Sequence, residues 1–126
     1  CLYVSFLNLF AGVLYYMSED IPSMLSDPEG PPYLDHVKRG ALYAGDAFTK
    51  AVFLRPAEAE AFMGGFGLEK VAFFGQEGIL SPIERRLEEQ SREVRDAWVR
   101  LSEELCQDPD YLAFSCHSMY VGRKPK

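Results

Sequence analysis

The chain is short of cysteine, poor in net basic charge and without a long apolar run, and each shortage closes off a class of function. Its three cysteines, Cys1, Cys106 and Cys116, have no metal-ligand spacing, and an odd number cannot all pair within one chain. No metal site is expected, and a reducing, cytoplasmic setting is. Thirteen Lys and Arg against 19 Asp and Glu leave a formal net charge of −6, which would repel a nucleic-acid backbone. The one basic cluster, Arg123-Lys124-Pro125-Lys126, reads as a solvated terminal tail. Leu2 to Met17 is mostly apolar but falls short of the ~20 residues that a membrane span needs, so no membrane partner is expected. Neither an initiator methionine nor a charged leader precedes Cys1, and the expectation is a chain cut from something longer.

What is present is the make-up of one ordinary folded domain: 126 residues, 48% of them hydrophobic and 25% charged. The stretch from Ala47 to Glu77 organises the rest. An apolar run, Ala51 to Leu54, leads into Arg55-Pro56, and proline is favoured at a first helical position because its missing N–H had no partner there. Ala59, Phe62, Met63 and Phe66 follow at i, i+3, i+4, i+7, a one-faced helical stripe. Gly64, Gly65 and Gly67 end that helix. Leu68 to Gly75 then reads as a fully buried strand.

Before this unit, Cys1 to Phe6 reads as a strand and Leu7 to Met17 as a helix, although Gly12 counts against it. Ile21 to Leu25 looks like a short helical turn. Ser26 to Pro32 reads as a surface loop, Tyr33 to Arg39 as a short helix, and Gly40 to Ala47 as irregular. Connections of this length serve as lids or binding loops, or simply wrap the surface.

After it, Ser81-Pro82-Ile83-Glu84 has the form of a capping box with proline at the first helical position. Ile83, Leu87, Val94, Trp98, Leu101 and Leu105 form an apolar stripe behind it. The charged residues opposite are set in pairs such as Glu88–Arg92 and Asp96–Arg100, a solvated face. A break near Gln90-Ser91 would split this helix in two. Asp108-Pro109 stops it, and Ala113 to Val121 reads as a last strand, apolar on both faces and hence interior.

The strand, proline-initiated acidic helix and aromatic strand between Phe48 and Gly78 resemble the sixth-strand region of Rossmann-like methyltransferases. Gln107-Asp108-Pro109, followed by His117-Ser118-Met119-Tyr120-Val121-Gly122-Arg123-Lys124-Pro125, resembles the ending of a bacterial subgroup of S-adenosylmethionine-dependent methyltransferases. The resemblance covers most of residues 48–126. It implies an α/β fold in which residues 1–6 are strand five, 68–75 strand six and 113–121 strand seven. The last would lie antiparallel between the other two, with 7–47 as an insertion or cap. It also implies a parent enzyme that methylates a small molecule.

The glycine-rich loop and the acidic residue that hold the cofactor in that family have no counterpart here, because the chain contains no G-x-G-x-x-G. S-adenosylmethionine is therefore expected in the parent enzyme and not on this chain alone, which is expected to be inactive. The resemblance places acceptor-binding groups in the insertion above the strand ends, with Asn8, Tyr15, Tyr16, His36 and Tyr43 as candidates. Aromatic residues there serve more often as core than as ligand contacts. His117, on the last strand, is the candidate general base, since a buried imidazole can be tuned near neutrality; the other reading is a packed, hydrogen-bonded histidine. An open, apolar edge of the first strand, or a helix face, would favour self-association. A stand-alone α/β interaction module is the alternative to the enzyme fragment.

Overall fold

The computed structural model describes residues 1–46 and 49–126. Ala47 and Phe48, where the insertion was expected to meet the C-terminal unit, lie outside the described residues. Strands β1 (Leu2–Asn8), β2 (Tyr43–Asp46), β3 (Lys50–Leu54), β4 (Glu69–Gly75) and β5 (His117–Arg123) form one mixed sheet in the order β2-β3-β1-β5-β4. Among the described residues six α-helices accompany them: α1 (Ala11–Ser18), α2 (Ser23–Ser26), α3 (Gly30–Arg39), α4 (Pro56–Gly64), α5 (Glu84–Glu88) and α6 (Arg92–Leu105). The fold is α/β.

The last strand is interior, as its two apolar faces require. β5 runs antiparallel to both β1 and β4, with Tyr120 opposite Val4 on one side and Phe73 on the other. Tyr120 and Val121 point to opposite faces, and both are buried. Val4, Tyr120 and Phe73 form one cross-strand row, which Ala59 and Met63 of α4 cover. A second cluster, Leu9, Tyr16, Tyr33 and Tyr43, joins α1 and α3 to the β2–β3 hairpin.

Several expectations are corrected. One strand that was not expected, β2, pairs as a hairpin with β3, the strand expected before the proline-initiated helix, so part of the insertion belongs to the sheet. Gly40 to Ala47 is thus not irregular throughout. β3 also lies parallel to β1 through Leu7–Phe53 and Asn8–Leu54, closing the end of an edge that was expected to be open. Only the start of β1 keeps large exposed side chains, Leu2 and Tyr3. The loop expected through Pro32 stops early, because Pro31 and Pro32 stand in the first turn of α3, where their missing N–H groups cost nothing. That helix ends at Gly40, whose φ of 61° is a left-handed cap.

α4 begins at Pro56 as expected, with the Arg55 N–H donating to Glu58 Oε2 at 2.8 Å. Its stripe is only half used: Ala59 and Met63 are buried, while Phe62 and Phe66 are 57% and 60% exposed. β4 is an edge strand and not a fully buried one. A register shift between Lys70 and Ala72 bulges it, leaving Val71 53% exposed. Ser81 caps nothing, since its residues lie in a 3-10 turn, Gly78–Ile83, and its hydroxyl turns to Cys116 instead. The helix does break at Ser91, whose Oγ accepts from Val94 N and caps α6. On α6, Val94, Trp98 and Leu101 stay between 38% and 40% exposed.

Candidate functional site

β1 and β3 run parallel and end side by side, and β5 starts at the same end of the sheet. A cavity of about 580 Å³ opens there. Leu7 and Phe53 come from the ends of the parallel pair, Gly12 from the first turn of α1, and Cys116 and His117 from the start of β5. The carboxyl end of parallel strands is where open α/β sheets place ligands.

Four of the six residues singled out from sequence meet at this cavity: Tyr15, Tyr16, Tyr43 and His117. The other two do not. Asn8 is 1% exposed and its amide is spent inside the chain. Its Nδ2 donates to Leu112 O at 3.0 Å and Ser115 O at 2.7 Å, and its Oδ1 accepts from Ser118 Oγ at 2.7 Å. Asn8 thus ties β1 to the segment before β5, a buried amide with its partners satisfied. His36 stands behind the cavity wall. Its Nδ1 is 2.7 Å from Leu42 O, and its ring packs edge-on against Tyr43 at 5.3 Å between centroids.

The tyrosines are walls and not bases. Tyr43 donates to Glu29 Oε2 at 2.6 Å, and that bond, with burial, pushes its pKa up to about 12. Burial and a bond to Asp27 raise Tyr16 as well. Tyr33 is pushed up to about 12, chiefly by burial; its hydroxyl donates to Leu9 O at 2.5 Å and accepts from Val13 N at 3.2 Å. The ring lies so close to α1 that a Cβ on Gly12 would stand 2.7 Å from it. That close approach explains a glycine inside a helix.

His117 is held differently. Its Nδ1 is 2.5 Å from Glu77 Oε1, while its backbone N–H donates to Glu77 Oε2 at 3.0 Å. Ser115 Oγ lies 2.5 Å from Glu77 Oε2 and accepts from the N–H groups of Glu77 and Gly78. Burial works to raise the Glu77 pKa, but the bonds from Ser115 and His117 outweigh it and hold the carboxyl below its usual range. An ionised carboxylate only accepts, so Nδ1 carries the proton and Nε2 is the ring nitrogen with a free lone pair. The arrangement can take a proton from a ligand bound in the cavity. Cys116, beside it, has its thiol raised by burial and is no nucleophile at neutral pH.

Sequence reasoning missed Glu77 and Ser115, and with them Asp27 and Glu29. The available signals were Glu77 set between Gly75 and Gly78, and Ser115 two residues before His117 on one strand face. The cluster Gly64-Gly65-Phe66-Gly67 follows the C-terminal end of α4, where backbone N–H groups turn back to Phe62 O and Met63 O and cannot cradle an anion. No helix among the described residues is long and apolar enough to cross a membrane. No protein-family model matches the chain, and no curated protein sequence matches it.

Proposed function

We propose that this chain is the C-terminal, acceptor-facing part of a bacterial, cytoplasmic methyltransferase that methylates a small molecule using S-adenosylmethionine. The observation that supports the reading is the order β1-β5-β4 with the final strand antiparallel between its neighbours. That is the placement implied for strands five, seven and six of a Rossmann-like methyltransferase sheet. The cavity at the ends of β1 and β3 is the acceptor site in this reading, Tyr15, Tyr16 and Tyr43 its walls, and His117 its proton acceptor. Positioning and water exclusion are the main protein contributions to such a transfer. The elements that hold the cofactor belong to a longer parent chain, and residues 1–126 alone are inactive.

The test is to read the gene upstream of Cys1 and titrate both products with S-adenosylhomocysteine. A strand, glycine-rich loop and helix upstream, with binding by the longer product only, is expected. A start codon immediately before Cys1, or a longer product that fails to bind, overturns the reading. Tight binding by residues 1–126 overturns the division of labour. One observation favours a second reading, an α/β association module without catalysis: the apolar stripe of α6 is left in solvent.

A further inference from the structure

The cavity at the sheet end combines aromatic walls with acidic charge. Its walls are aromatic, with Tyr16, Tyr33, Tyr43 and Phe53 among them. Among the described residues that line it the carboxylates are Asp27, Glu29 and Asp46, and there is no lysine or arginine. Basic residues line instead the separate cavity of about 610 Å³ beside Asn8, where Lys38, Arg39 and Arg55 stand. The two cavities therefore carry opposite charge.

The tyrosine hydroxyls sharpen this contrast. Tyr16 donates to Asp27 and Tyr43 to Glu29, so each ring is tied to a carboxylate and keeps its proton across the ordinary pH range. Tyrosine ring faces attract cations. Among the described residues no three carboxylates, imidazoles or thiols stand close enough to hold a metal ion. A cavity of this volume with aromatic sides suits an organic molecule better than a bare ion. His117 adds a nitrogen lone pair at the β5 side of the same space.

We infer that this cavity binds a small organic cation, an amine carrying an aromatic or alkyl body. The ammonium is held by the carboxylates and ring faces, and the body lies against Phe53 and Leu7. This names the acceptor class for the proposed methyltransferase and rests on that reading only for the word acceptor; binding itself is a property of residues 1–126.

The experiment titrates the chain, with no methyl donor present, against three probes of one shape: phenethylamine, 2-phenylethanol and phenylacetate. Binding is followed by calorimetry and by NMR shifts of the tyrosine and His117 ring signals. Phenethylamine should bind about tenfold tighter than the alcohol, and phenylacetate weaker than both. Added salt should narrow the difference. Asp46→Asn, an exposed substitution that leaves the buried clusters intact, should weaken the amine several-fold and leave the alcohol unchanged. Equal binding of amine and alcohol, tighter binding of the carboxylate, shifts confined to residues outside the cavity, or no binding of the amine would each overturn the assignment. None of these outcomes bears on S-adenosylhomocysteine binding by the longer product, which decides the methyltransferase reading separately.

Discussion

His117 Nδ1 stands 2.5 Å from Glu77 Oε1, although the two residues are 40 positions apart. The contact fixes a proton on Nδ1 and leaves Nε2 as the unbonded ring nitrogen of a side chain that lines the cavity. Glu77→Gln should therefore release the ring: by ¹⁵N NMR at pH 8 the wild type should show the Nδ1–H form, and the variant a mixture of both tautomers. A wild type already in the Nε2–H form would sink this geometry.

The same carboxylate makes stability depend on pH. Folding lowers the Glu77 pKa from 4.5, so the unfolded chain takes up its proton first as pH falls. The stabilisation is fully present above the ordinary carboxylate range and is lost as pH drops through the folded value. Losing charge-assisted hydrogen bonds in Glu77→Gln should cost roughly 1–3 kcal/mol at pH 7. Thermal melts of both proteins from pH 7 to pH 3 should show the gap closing at the acid end. A gap that widens there contradicts the assignment.

Asn8 tests the join between β1 and the β5 approach. Removing its amide in Asn8→Ala strands the carbonyls of Leu112 and Ser115 and the hydroxyl of Ser118 in a site only 1% exposed. Each unsatisfied buried group costs about 1–3 kcal/mol, and partial relaxation leaves an expected total of about 3 kcal/mol by urea denaturation. Loss below 0.5 kcal/mol would mean that Asn8 is not the tie described.

Gly12 tests the cavity wall. A methyl group there would press on the Tyr33 ring at 2.7–2.9 Å, and Tyr33 cannot swing away without giving up its bonds to Leu9 O and Val13 N. Gly12→Ala is expected to destabilise by about 1–3 kcal/mol, despite alanine's better helix propensity. Equilibrium unfolding that shows stabilisation would place the ring elsewhere.

What could be read in the chain beforehand follows the range of the interactions that decide each feature. β5 was legible because burial on both faces is written in its own residues, and α4 because Pro56 marks its start locally. β2 was not: Tyr43–Asp46 is four residues long, and what makes it a strand is its pairing with β3. Pro31 and Pro32 read as a loop because a proline pair at a helix start looks the same in sequence as one in a turn. Phe62 and Phe66 fit the helical period, yet the sheet they face covers only the Ala59–Met63 row. For the candidate site, the four residues that meet at the cavity were chosen as aromatic or titratable groups near strand ends. Glu77, 38 residues before Ser115 and 40 before His117, shares no local pattern with them. Only the closing of β5 onto β4 brings the three together.

The last prediction concerns α6, where the apolar period in the sequence was right but the burial it implied is absent. Val94, Trp98 and Leu101 lie at i, i+4, i+7 on one side of the helix, each between 38% and 40% exposed. The helix is held to the rest of the chain near its C-terminal end, where Ser102 is buried and its hydroxyl reaches Glu77 O at 3.4 Å. An apolar stripe on a helix anchored at one end loses water by meeting another apolar surface, and at micromolar concentration the surface available is a second copy. Residues 1–126 should therefore sediment above the monomer mass, with the average mass rising as concentration increases. Trp98→Glu places a charge in the middle of the stripe and should return the chain to monomer, with far-UV circular dichroism unchanged because the side chain stands on the exposed face of the helix. Val71→Glu, on the bulged edge of β4, separates the helix face from the strand edge: it should leave association intact. A monomer at every concentration, or association abolished only by Val71→Glu, would show that the helix stripe is not the contact.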